Sequence, residues 1–204
     1  MEARERIIRK AIQLYLSRWI RSVTMDDVAV ESGVSKRTIY EIFKDKDDLV
    51  LQSLSEMIMQ NNRAALEIID KTNNVIEAIF YILKGEQERQ ANLAPVFIND
   101  IKKYFPMLNE TLYSKKESIK KFSPSYMLLE KGVKEEIFNR AIRIDLVDNF
   151  LHELIGLMHN SERLALLQPT AIDVLNNIFL PYFKGLCTRR GLELMEKYSE
   201  EIEL

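Results

Sequence analysis

One stretch near the start of the chain, residues 24–49, limits the fold most tightly, because it carries the signals of short helices joined by a tight turn. Thr24, followed three residues later by Asp27, predicts a helix start of the capping-box type. Ser35 predicts a second start, and Gly33 predicts a left-handed residue that ends the first helix. Helices joined by so short a connection must cross steeply, which predicts a helix-turn-helix arrangement.

The second helix of this pair, residues 35–43, has the features of a helix that reads base pairs in the major groove of DNA. Lys36 or Arg37 in its first turn would donate to guanine, and Glu41 would accept from cytosine N4. Side chains suited to phosphate oxygens, which position a protein without reading sequence, are Thr24, Thr38, Tyr40 and Lys46. The alternative is an ordinary helical corner with a solvated basic face.

A longer ordered pattern surrounds this motif, from Ile7 to Leu54. Its members are Ala11, Leu14-Tyr15, Thr24-Met25-Asp26-Asp27-Val28-Ala29, Gly33-Val34-Ser35-Lys36, Thr38-Ile39-Tyr40, Phe43, Lys46 and Leu49. This pattern resembles the DNA-binding domain of the tetracycline-repressor (TetR) family of bacterial transcription regulators. The resemblance implies an all-α fold, with an N-terminal three-helix helix-turn-helix DNA-binding domain, residues 1–48. A long helix would join it to a C-terminal helical domain for ligand binding and dimerisation, residues 49–204.

Two departures from the family pattern bear on DNA binding. Trp19 stands at the end of the first helix, where the family usually has glycine, so we expect a different turn through residues 19–21. Glu41 and Ile42 stand where the family tends to carry an aromatic residue and a His or Tyr. A carboxylate at Glu41 repels phosphate and suits only certain base edges, so the resemblance leaves the base preference open at this position.

Composition adds limits on partners and compartment. The chain has 204 residues and a formal net charge of −2, so affinity for DNA has to come from a local basic patch. A single cysteine, Cys187, excludes an intramolecular disulfide and is expected to act as a small apolar residue. The charged segment 1–10 does not resemble a signal peptide, and no apolar run approaches the length of a membrane span. We therefore expect a cytoplasmic protein.

The remainder of the chain reads as successive helices, because glycine is scarce and strand-like alternation is absent. Asp45 opens a long helix to Lys71, and Thr72-Asn73-Asn74 interrupts it. The next helices are expected over residues 75–89, over 92–105 up to Pro106, and over 106–131 with an interruption near residues 123–125, before a turn at Gly132. The last starts are expected at Asp145 with Asp148, running to about His159, and at Thr170 with Asp173. Pro181 should disturb the regularity of the last of these helices.

The two late helices opened by Asp145 and Thr170 are apolar on more than one side, which indicates burial on more than one side. A homodimer, in which the pair meets its symmetry mate as a four-helix bundle, explains this pattern, and the family resemblance implies the same dimer. A monomeric bundle with an internal core is the alternative. A dimer related by a two-fold axis would read a palindromic operator. The interface candidates are Leu151, Ile155, Gly156, His159, Leu175, Phe179 and Tyr182.

Catalysis has little support in the sequence. His152 and His159 lie seven residues apart on one helix, which is not the spacing of metal ligands on adjacent turns. Motifs of hydrolases, phosphate-binding loops and zinc proteases are absent. We therefore predict a protein that is not an enzyme, with no catalytic residues, metal site or cofactor.

The resemblance further implies a ligand cavity among the middle helices, residues 75–138, closed by the helix that carries His152. It implies a repressor that an unknown small-molecule effector releases from its operator. The candidate ligand contacts are Phe80, Phe97, Asp100, Tyr104, Tyr126 and His152. The alternative is a DNA-tethered factor that recruits a partner protein and has no small-molecule inducer.

Overall fold

The computed structural model describes residues 2–91, 104, 107–108 and 123–201. The regular elements of these residues are all helices, and the extended pairing among them is an isolated bridge between Phe138 and Cys187. The chain divides into two compact units. The first contains residues 1–61 and 93–116, and the second contains residues 62–92 and 117–204. The all-α fold is therefore confirmed.

The helices of the first unit pack around one apolar core. Its helices are α1 (Ala3–Ser17), α2 (Met25–Ser32), α3 (Lys36–Ile42) and the N-terminal part of α4 (Lys46–Lys71). The core side chains are almost fully buried and come from every one of these helices; they include Ile7, Ala11, Tyr15, Val28, Ile39, Phe43, Leu49 and Leu54. Tyr104 and Leu108 also belong to this core.

The predicted capping signals of this unit are confirmed. The hydroxyl of Thr24 accepts from the backbone N–H of Asp27, and the Asp27 carboxylate accepts from the N–H of Thr24, so the capping box is complete. Gly33 ends α2 with φ 63°, the left-handed conformation that glycine adopts without strain. The hydroxyl of Ser35 caps α3 through the N–H of Thr38. These caps fix where the reading helix begins.

The second unit contains the remaining helices and its own core. The helices after α4 are α5 (Val75–Ala91), α6 (Pro124–Lys134), α7 (Ile144–Asn160), α8 (Glu162–Leu167), α9 (Ala171–Val174), α10 (Leu180–Leu186) and α11 (Arg189–Glu201). A π-helical turn, Leu175–Phe179, connects α9 to α10 and directly precedes Pro181. The predicted loss of regularity at Pro181 is thus confirmed, and so is the capping box of Thr170 and Asp173. The predicted helix 92–105 lies outside the described residues.

Two sequence predictions for the second unit are wrong. Asp145 and Asp148 do not cap α7, which begins at Ile144 after Arg143 without a side-chain cap. Asp145 instead pairs with Arg143, and Asp148 turns inward to the hydroxyls of two serines. Gly132 does not mark a turn, because it lies within α6.

The long helix α4 runs without interruption from the first unit into the second, as the sequence predicted. The functional boundary proposed at residue 48 lies near its start and remains a prediction. None of the helices in the described part of the chain has the length and apolar character needed to cross a bilayer.

Candidate nucleic-acid interface

The exposed face of α3 presents a donor and an acceptor side by side. Arg37 and Glu41 form an ion pair across one helical turn, with Nε and Oε1 3.0 Å apart. Their side chains are 88% and 58% exposed, respectively. Tyr40 is also half exposed on this helix, whereas Ile39 is fully buried against the core. The helix therefore has one face fixed by packing and another available to a ligand.

Lys36, the first residue of α3, is tied to the preceding helix. Its Nζ lies 2.8 Å from Oδ2 of Asp26 in the first turn of α2. This contact with the Asp26 carboxylate raises the pKa of Lys36. The ion pair holds the start of α3 against the start of α2, so Lys36 has a positioning role that the sequence did not reveal. Arg37, whose side chain is more exposed and pairs within α3 itself, is the better candidate for reading bases.

A second set of contacts connects the N-terminus of α4 to the turn between α1 and α2. Nζ of Lys46 donates to the backbone carbonyl of Arg21 over 3.0 Å. The pKa of Asp27 is lowered chiefly by its hydrogen bonds from Thr24, with smaller contributions from the charges of Arg18 and Lys46. The predicted phosphate contacts Thr24 and Lys46 therefore lie close to one another. Thr38 is half-buried, with its hydroxyl 2.8 Å from that of Ser35.

Residues 7–52 match the family model described as bacterial regulatory proteins of the tetR family. YvaF of Bacillus subtilis, an uncharacterized HTH-type transcriptional regulator, is 31% identical over 84 residues. That match covers 41% of this chain and 44% of YvaF, so it spans less than half of the relative. The N-terminal part of the chain, residues 7–52, is therefore similar to the TetR family. Both matches are to transcription regulators, the class of protein that the sequence predicted.

Solved structures of transcription regulators share the fold of this chain. The fatty acid degradation regulator FadR from Bacillus halodurans superposes with a TM-score of 0.62 at 14% identity, covering 93% of this chain and 98% of that protein. FadR from Bacillus subtilis, solved with stearoyl-CoA, gives a TM-score of 0.50 at 14% identity and covers 85% and 94% of the two chains. At these identities the likeness supports the fold alone.

The second unit holds a polar cluster, defined by Ser123, Ser125, Asp148 and His152, in which Ser123 and Asp148 are buried and the other two are partly buried. The hydroxyls of Ser123 and Ser125 donate to Oδ1 of Asp148 over 3.0 and 2.5 Å. His152 Nε2 lies 3.3 Å from the Ser123 hydroxyl and 3.7 Å from the same carboxylate oxygen. The other oxygen of Asp148, Oδ2, is buried and has no hydrogen-bond partner among the described residues.

This polar cluster does not have the geometry of a hydrolytic triad. In a triad the carboxylate binds Nδ1 of the histidine and the serine approaches Nε2. Here Ser123 and Asp148 both approach Nε2 of His152. The cluster therefore lacks the arrangement that activates a serine as a nucleophile. Asp148 was not among the predicted ligand contacts, because its spacing from Asp145 indicated a cap.

The other predicted ligand contacts that the structure describes have different surroundings. Phe80 is fully buried in the core of the second unit and stacks on Tyr198, with ring centroids 6.2 Å apart. Tyr126 is half-buried beside Ser123, while Tyr104 belongs to the first unit and donates to Asp47 over 2.6 Å. Phe97 and Asp100 lie outside the described residues. An open pocket of about 260 Å³ in the second unit is lined by Phe80, Asn176, Leu180, Pro181, Lys184 and Ser199.

Some of the predicted interface residues lie in the protein core, and others lie on the surface. Leu151 and Leu175 are 4% and 5% exposed and belong to the protomer's own interior, as does Gly156. Ile155 is exposed, and Phe179 and Tyr182 are half-buried. The side chain of His159 lies outside the described part of the chain. Other exposed apolar side chains of α7 to α9, which were not among the predicted interface residues, are Leu146, Phe150, Leu157, Leu166, Leu167 and Ile172.

Proposed function

We propose that this protein is a homodimeric repressor that binds a palindromic operator and leaves it when a small molecule occupies its second unit. The exposed Arg37–Glu41 pair on α3 carries the proposal, because base-reading groups have to project from a helix whose opposite face is held rigidly. The buried Ile39 supplies that rigidity. The protein would work in the cytoplasm, where its DNA is.

The chemistry of the pair suggests the bases that it reads. An arginine guanidinium donates in bidentate fashion to O6 and N7 of guanine, and a carboxylate accepts from N4 of cytosine. Arg37 and Glu41 lie 3.0 Å apart, so they would address neighbouring edges in the groove. We expect each half-site to contain guanine and cytosine at adjacent positions or within one pair. Thr24, Tyr40 and Lys46 would bind the flanking phosphates.

Homodimerisation is supported by the exposed apolar side chains of α7. Leu146, Phe150 and Leu157 recur at helical spacing and form one stripe. They are 56%, 48% and 56% exposed in the single chain. The ring of Phe150 also packs on Tyr182 of α10, with centroids 5.1 Å apart, so the stripe continues onto a second helix. A patch of this kind is unusual on a monomer, and a second copy of α7 and α10 would cover it.

Release by a small molecule is proposed from the resemblance to the TetR family and from the polar cluster. FadR from Bacillus subtilis was solved with stearoyl-CoA, so a transcription regulator of similar fold binds a small molecule. In this chain, the buried Oδ2 of Asp148 offers an acceptor to a ligand's donor, and a buried acceptor without a partner is costly. A ligand would release the DNA by favouring a spacing of the two reading helices that does not fit the operator. A coupling free energy of only about 1–3 kcal/mol between ligand binding and DNA binding would be needed.

The test is selection of bound sequences from a random duplex DNA pool by the purified protein. We expect an enriched palindrome for the wild type and its loss for Tyr40→Ala and Lys46→Ala. Lys71→Ala is the matched control, because it removes a lysine from the last turn of the same helix α4 and should leave enrichment unchanged. Absence of enrichment at low salt would overturn the proposal. Enrichment without any effect of small molecules would favour the protein-recruiting factor instead.

A further inference from the structure

Trp19 is the single tryptophan of the chain, and its side chain is 55% exposed. The turn that carries it is well fixed. The carbonyl of Trp19 accepts from the N–H groups of Ser22 and Val23, and the hydroxyl of Ser22 donates to it as well. Ile20 and Val23, on either side of the turn, are each 1% exposed. The indole therefore projects from a turn that the core anchors, and its exposure is a property of the fold.

Hydrogen bonds and ion pairs place this turn on the same edge of the first unit as the candidate DNA contacts. Lys46 donates to the carbonyl of Arg21, two residues after the indole. Nη1 of Arg18, the residue before it, lies 3.9 Å from Oδ1 of Asp27 in the Thr24 capping box. The starts of α2 and α4 and the turn between α1 and α2 thus form one continuous edge.

The charge of this edge suits a polyanion. Arg18 and Arg21 flank the indole, and both side chains are exposed. The acidic side chains near them are already engaged by protein groups: Asp26 by Lys36, Asp27 by Thr24, Asp47 by Tyr104, and Asp48 by the N–H of Lys44. Trp19 thus lies on an exposed segment with an arginine on either side in the sequence. At nucleic-acid surfaces an aromatic ring contacts sugar or base, and cations contact phosphate.

We propose that Trp19 contacts the DNA backbone at the edge of each half-site, with its indole face against deoxyribose and its Nε1–H donated to a phosphate. This inference rests on the proposed DNA-binding function and extends its contact surface to the turn between α1 and α2. An indole has one donor and a large apolar face, which matches a sugar beside a phosphate oxygen. If the indole instead packed against a second copy of the protein, the contact would not require the flanking arginines.

The single tryptophan provides a direct readout of this contact. The protein is titrated with fluorescein-labelled duplex that carries the enriched palindrome. The anisotropy of the fluorescein reports binding, and the intrinsic emission of Trp19 reports the environment of the indole. On binding, we expect the emission to change and quenching by acrylamide to weaken. Trp19→Gly should weaken DNA affinity by about tenfold, and Trp19→Phe, which keeps a ring but loses the N–H, should weaken it less. Val30→Ala, at another exposed apolar position of the first unit, is the matched control and should change nothing.

The outcomes separate this inference from the proposed function. If the duplex binds and the emission, quenching and Trp19→Gly affinity are all unchanged, the contact is absent while DNA binding stands. If quenching weakens with protein concentration in the absence of DNA, the indole lies in a protein interface and the inference is overturned. If anisotropy shows no binding, the proposed function itself has failed. Should Trp19→Gly fold poorly by circular dichroism, the wild-type quenching and the Trp19→Phe affinity decide the question.

Discussion

Replacing Gly132 by alanine should destabilise the second unit, although alanine usually favours a helix. Gly132 lies within α6, and the three atoms nearest to an added Cβ all belong to the ring of Phe138, with Cε2 at only 2.6 Å. That ring cannot move aside easily, because Phe138 is fully buried and stacks on Phe183. The carbonyl of Gly132 also accepts from the N–H groups of Ile137 and Phe138, which fixes the chain that brings the ring back.

The expected size of this effect follows from two opposing terms. Glycine to alanine in a helix stabilises by about 1 kcal/mol, whereas overpacking a core costs about 1–3 kcal/mol. We expect a net loss of about 1 kcal/mol or more, which lowers Tm by roughly 2–4 °C per kcal/mol for a chain of this size. Gly85→Ala is the matched control, since Gly85 lies inside α5 and an added Cβ meets nothing within 4 Å.

Thermal unfolding followed by circular dichroism at 222 nm, with urea titration as a second measurement, compares the two variants. Gly132→Ala should unfold at lower temperature than the wild type, and Gly85→Ala at the same or higher temperature. If Gly132→Ala were as stable as Gly85→Ala, the close packing of Phe138 on α6 would be refuted.

Three further predictions concern the two units. Hydrogen bonds from Thr24 hold the pKa of Asp27 below its usual range. The stability that the capping box contributes should therefore be present above about pH 4 and be lost as the pH falls through the folded-state pKa. Thr24→Ala should lower Tm more at pH 7 than at pH 3, and equal losses at the two pH values would contradict this. Tyr104→Phe should weaken the first unit by about 1 kcal/mol or more through loss of the bond to Asp47, measured by urea unfolding, and an unchanged midpoint would show that the bond contributes nothing. Phe150→Glu should convert the proposed dimer to monomer in analytical ultracentrifugation, and a dimer that persists in this variant would contradict an interface on α7.

Local signals in the sequence were sufficient for the helices of the first unit. The caps at Thr24, Gly33 and Ser35 act between residues two to five apart, so their chemistry is legible without tertiary contacts. The same reasoning failed for Asp148, because two serines from another helix bind its carboxylate. It also failed for Gly132, because glycine is needed there to leave room for a phenylalanine ring that the fold brings against α6.

The candidate site was predictable in its residues but not in their division of roles. Sequence position alone left Lys36 and Arg37 equivalent as base readers. Only the structure shows that Lys36 pairs with Asp26 of α2, while Arg37 pairs with Glu41 along its own helix and stays exposed. Ion pairs between helices depend on the crossing of α2 and α3, which a linear pattern does not specify.

The central claim is that α3 reads bases through Arg37, and base-resolved affinity tests it most directly. Binding of Arg37→Ala and Lys46→Ala to the enriched operator and to each of its single-pair variants is measured at fixed salt. We predict that Arg37→Ala loses about 1–3 kcal/mol and no longer discriminates one guanine position in each half-site. Lys46→Ala should weaken all duplexes alike and reduce the salt dependence of binding. If Arg37→Ala kept full discrimination at every position, the reading of bases by this face of α3 would be contradicted.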